Sequence, residues 1–131
     1  PASIMSGAIN GVSELGVTVV KSVKVIVNGA IQGSMESGIK ENDAVQGIVA
    51  QAVLSAKELG LNVADVAVEA VKGAVNGVKQ VGGDTISATK NSLVAAMDAA
   101  KGVSDETLTS VKTALHGSID GAKDILDEIK K

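Results

Sequence analysis

The 131-residue chain has no phenylalanine, tyrosine or tryptophan, no cysteine, no arginine and a single proline. Each absence excludes something. Without cysteine there is no disulfide framework and no thiolate metal site. Without aromatic rings there are no stacking platforms for bases, and all twelve basic residues are lysines in a chain of net charge −3. That combination argues against nucleic acid as a partner. The valine-rich stretch 17–27 is broken by Lys21 and Lys24, and no apolar run reaches the length of a membrane span. The first residues also lack the basic start and apolar core of a secretory leader.

What is present is a chain of small side chains, 13.0 kDa over 131 residues. Valine, alanine, isoleucine, leucine and three methionines supply all the packing. Small side chains bury little area each, at roughly 25 cal/mol per Å². Contacts with neighbouring copies would add to such a thin core.

The dominant feature is a repeat. The segments GAINGVSELG (7–16), GAIQGSMESG (29–38), QAVLSAKELG (51–60), GAVNGVKQVG (73–82), AAMDAAKGVS (95–104) and GSIDGAKDIL (117–126) each begin 22 residues after the last. Within this unit is a period of 11. Stepping by 11 from Lys24 collects Lys57, Lys79, Lys90, Lys101, Lys112 and Lys123, so seven of the twelve lysines share one column. Eleven residues make three helical turns, whereas a strand would swap faces at each step. The helical reading is therefore preferred, although VTVVKSVKVIVNG (17–29) on its own also reads as a hairpin with an Asn-Gly turn.

The expected architecture is all-α, a single repeat domain of six short helices stacked as an array or bundle. Its units lie at about 1–16, 17–38, 39–60, 61–82, 83–104 and 105–131. Gly16, Gly38, Gly60, Gly82 and Gly102 are expected at the turns. Glycine past a helix end, then an apolar residue, then an N-cap is a stop-and-restart signal. The pairs Gly7 and Gly11, Gly29 and Gly33, Gly73 and Gly77, and Gly117 and Gly121, with Ala95 and Ala99 in the fifth unit, form small-xxx-small steps. Glycine in a helix interior costs about 1 kcal/mol against alanine, and close helix–helix approach is what offsets that cost. These pairs are the candidate helix-packing and self-association residues.

No catalytic constellation is apparent. His116 is the one histidine and has no nucleophile or acid in a suitable pattern. Asp105 and Glu106 read as the acidic start of the last helix. Asp124, Asp127 and Glu128 lack calcium-loop spacing. Neither phosphate-loop nor dinucleotide-binding glycine patterns occur. No cofactor, metal or small-molecule substrate is expected.

The 11- and 22-residue amphipathic periodicity, with its Gly/Val/Thr/Lys composition, resembles that of apolipoproteins, synucleins and perilipins. The resemblance implies helices lying on a lipid surface. The prolines that punctuate apolipoproteins are absent. Two functions are thus expected from the sequence: a non-enzymatic structural protein that self-associates into an oligomer, filament or sheet, or an amphipathic coat on lipid or another hydrophobic surface.

Overall fold

The computed structural model describes residues 3–119 and 121–129, with side-chain environments for 20–119 and 121–126. Six helices make up the described residues and no strand occurs among them: α1 (Ser3–Glu36), α2 (Glu41–Leu59), α3 (Val63–Gln80), α4 (Thr85–Val103), α5 (Asp105–Ser118) and α6 (Ala122–Ile129). The stretch 17–29, readable in isolation as a hairpin, lies inside α1.

Neighbouring helices are joined by tight turns, and each packs against the helices one and two places away in the chain. Among the described residues α1 meets α2 and α3 but not α4, α5 or α6. The result is two rows of helices, α1, α3 and α5 in one and α2, α4 and α6 in the other. Helices within a row run parallel: Gly73 of α3 lies against Lys24 and Val27 of α1, and Gly77 one turn later lies against Asn28 and Ile31. In the other row, Asn91 of α4 donates to Asn42 of α2 at 2.6 Å.

Valine and alanine fill the space between the rows, led by Val45, Val49, Val53, Val66, Val71 and Val78, with Ile31, Leu93, Leu115 and Leu126 the largest buried groups. Helix α3 is the most enclosed, because it is covered by α1, α2, α4 and α5. Its buried face runs almost without interruption from Val66 to Val78. Ser92 is the one buried polar residue described. Its hydroxyl donates to the carbonyl of Ala88 at 2.6 Å.

The starts and stops follow local chemistry. Asn62, Asp84 and Ser104 cap α3, α4 and α5 by accepting backbone N–H bonds, and Glu41 and Asp43 place negative charge in the first turn of α2. Gly38, Gly60 and Gly82 have φ of 94°, 71° and 77°. The residue after each donates back to a carbonyl of the preceding helix: Ile39 to Ser34 at 3.0 Å, Leu61 to Ala56 at 2.9 Å, Gly83 to Val78 at 2.9 Å. This pattern satisfies carbonyls that would otherwise lack a partner at a helix end.

Three expected boundaries are corrected. Gly16 makes no turn, because α1 continues through it as a 34-residue helix about 51 Å long. The residues after Gly16 supply no acid for a new helix start; Lys21 and Lys24 stand there instead, and cations oppose the N-terminal dipole. Gly102 is helical, within α4, and the α4–α5 break is made by Ser104 alone, whose extended backbone (φ −172°, ψ 162°) ends one helix and caps the next. The last unit is not one helix. It bends after Ser118, with Gly121 at φ 79°, and the bend buries Ala122 and Leu126 where α6 reaches α4.

Candidate interaction surface

The described packing residues separate into two groups by environment. Gly73 and Gly77 are buried where α3 crosses α1. A Cβ on Gly77 would lie 2.8 Å from the Ile31 Cβ and 2.9 Å from the Asn28 carbonyl oxygen. One on Gly73 would run into the Lys24 carbonyl oxygen, with the Val27 Cβ 3.0 Å away. A side chain at either position would have to displace backbone or core atoms of α1. In α4, Ala95 is buried and Ala99 half-buried against the core.

The second group is open. Gly29 and Gly33 of α1 and Gly117 of α5 are exposed, with nothing within 4 Å of where a Cβ would sit. Among the described residues they pack against no other helix. Gly121 belongs to the α5–α6 turn rather than to a helix face, a correction to its expected role. The surroundings of Gly7 and Gly11 lie outside the described residues.

Gly83, outside the small-xxx-small pairs, is also closely packed. Gly83 sits where a Cβ would meet the Glu41 Oε1 at 2.5 Å and the Val78 Cγ1 at 2.8 Å. Glu41 Oε1 in turn accepts from the Asp84 backbone N–H at 2.8 Å, tying the start of α2 to the start of α4. Asp84 accepts from Ser87 and Ile86 N–H at 3.0 and 3.1 Å. The Ser87 backbone and hydroxyl bonds, with the Ile86 N–H adding to them, hold its carboxyl below the ordinary value. No sequence pattern marks a contact between residues 43 apart; only its local half, Asp84 as an N-cap, is readable.

One end of the two rows carries an apolar surface. A groove of about 630 Å³ runs between α1 and α2, lined by Val23, Ile26, Val27 and Ala30 on one side and Gly47, Ile48, Ala52 and Leu59 on the other. Val25 and Ile26 stand 72% and 64% exposed beside it. On the far side of the rows, Thr109, Ser110, Thr113 and His116 of α5 face solvent, and the exposed Ile86 of α4 shares a hollow with Ser118 and Ile119.

Among the described residues no three His, Cys, Asp or Glu side chains could share a metal ion. A smaller hollow of about 400 Å³ is lined by Lys24, Lys72, Thr85, Thr89 and Ser118, among others. The side chains of Asp127 and Glu128 lie outside the described residues. Among those described, no helix is long and apolar enough to cross a membrane. Comparison with protein-family models, curated protein sequences and solved structures finds no match.

Proposed function

We propose that the protein is a non-enzymatic structural protein that self-associates through helix packing. The observation that carries this reading is the asymmetry of the two ends. The α1–α2 end leaves an apolar groove uncovered, with Val25 and Ile26 exposed at it, whereas the described outer face of α5 presents Thr109, Ser110, Thr113 and His116. Apolar surface rimmed by polar residues marks an interaction site.

The 22-residue units give this reading its mechanism. Gly38, Gly60 and Gly82 act as turn residues that recur once per unit, and the Gly73–Gly77 pair acts as a zipper that brings parallel helices together. A stack in which each helix contacts near neighbours in the chain has no closure built into it, so its apolar end is a place for another copy to add.

Electron microscopy of the purified protein in plain buffer, with and without liposomes, tests the proposal. Discrete oligomers, filaments or sheets in buffer alone are the expected result. Monomeric particles that bind or reshape liposomes would overturn it in favour of a coat on a lipid surface.

A further inference from the structure

The exposed face of α1 is self-complementary about Gly29. Lys21, Val25, Gly29, Gly33 and Glu36 are all exposed on one side of the helix. Lys21, Val25, Gly29 and Gly33 follow one another at every fourth position, the ridge along which helices commonly interlock. Val25 lies four residues before Gly29, and Gly33 four after it. Lys21 lies eight before, and Glu36 seven after. Two copies of α1 laid antiparallel with their Gly29 residues in contact therefore bring each Val25 over the partner's Gly33. Each Lys21 then meets Glu36 of the partner subunit, at about 12 and 10.5 Å from the centre along the two axes.

The shapes match as well as the charges. Val25 is 72% exposed, a protruding group without a pocket in its own chain. Gly33 has nothing within 4 Å of its Cβ position, an indentation without an occupant. Ile26, 64% exposed, lies between this ridge and the α1–α2 groove, so burying the ridge continues directly into the apolar groove. A head-to-tail stack would require the α5 end to be apolar, and it carries Thr109, Thr113 and His116. A surface complementary to itself yields a closed two-fold pair.

We propose that the occupant of this face is a second copy of the chain, in a two-fold dimer formed by antiparallel α1 helices crossing at Gly29. The proposal rests on the self-association reading and specifies its interface.

Sedimentation analysis with interference optics, which need no aromatic absorbance, tests it over a wide concentration range. The wild-type chain is expected to reach twice its 13.0 kDa mass. Gly29→Leu and Gly33→Leu each fill the indentation and should weaken the dimer by about tenfold or more. Both should keep monomer helicity, because these positions touch nothing in their own chain. Lys21→Glu and Glu36→Lys should each weaken it by about three- to tenfold, and the chain carrying both should recover wild-type association. If the wild type associates but the leucine variants associate equally well, or the charge-swapped chain is no better than its single variants, this interface is wrong while self-association stands. A wild-type chain that is monomeric at every concentration overturns both.

Discussion

Replacing Gly73 by alanine adds one methyl group, and its effect can be worked from two opposing quantities. Alanine is favoured over glycine inside a helix by about 1 kcal/mol. Against this, the new Cβ at Gly73 would collide with the Lys24 carbonyl oxygen and sit 3.0 Å from the Val27 Cβ. Relief requires α1 and α3 to separate, and overpacking of this kind costs about 1–3 kcal/mol. The net effect is a loss of about 0–2 kcal/mol. Gly47 offers the control: it lies inside α2 with nothing within 4 Å of its Cβ position, so Gly47→Ala should gain about 1 kcal/mol. The two variants should therefore differ by about 1–3 kcal/mol, with opposite or nearly opposite signs. Urea unfolding followed by circular dichroism at low protein concentration reads this directly, and thermal midpoints should separate by about 3–12 °C for a chain of this size. If both variants move the midpoint in the same direction by the same amount, the α1–α3 contact does not require glycine and the close approach is refuted.

Other expectations follow from the turns and caps. Gly60→Val places a β-branched residue at φ 71° and should destabilise by about 1–2 kcal/mol, measurable in the same urea titration; an unchanged midpoint would mean the α2–α3 turn tolerates another backbone conformation. Glu41→Ala removes the acceptor for the Asp84 N–H and should cost on the order of 1 kcal/mol, with faster amide exchange at the start of α4. Asp84 has its carboxyl held below the ordinary value, so its cap stabilises the fold above about pH 4 and that stabilisation is lost as pH falls through the lowered value. Asp84→Asn, which keeps a capping oxygen but cannot ionise, should therefore show a shallower acid-side loss of stability than the wild type. Equal acid slopes would show that Asp84 does not contribute to it.

Helical structure was legible in the sequence wherever the signal was local. The 11-residue lysine column predicts helix, and α2 and α3 occupy the stretches between Gly38, Gly60 and Gly82, with α4 starting just after Gly82. Glycine marks a turn only together with its surroundings. Gly16 has the same unit position as Gly38, but no acid follows it, and the helix runs on. Gly102 was unnecessary because Ser104 could break the chain by itself. Gly29 and Gly73 stand at equivalent positions in the repeat, yet one faces open space and the other a carbonyl. That difference depends on place in the stack: α1 ends a row, whereas α3 is enclosed. Period and composition describe a single helix, and cannot distinguish an end from a middle. The Glu41–Asp84 contact was illegible for the related reason that its two halves meet only after the rows assemble.

Because, among the described residues, no helix touches one more than two places away, no described contact joins the beginning of the chain to its end. Cooperativity must then pass from helix to helix rather than being held by one closing interaction, and contacts this near in sequence favour rapid folding. Opening should start at the ends and work inward. Native-state hydrogen exchange would record this as a gradient, with amides of α3 and α4 the last to exchange and those of α6 among the first.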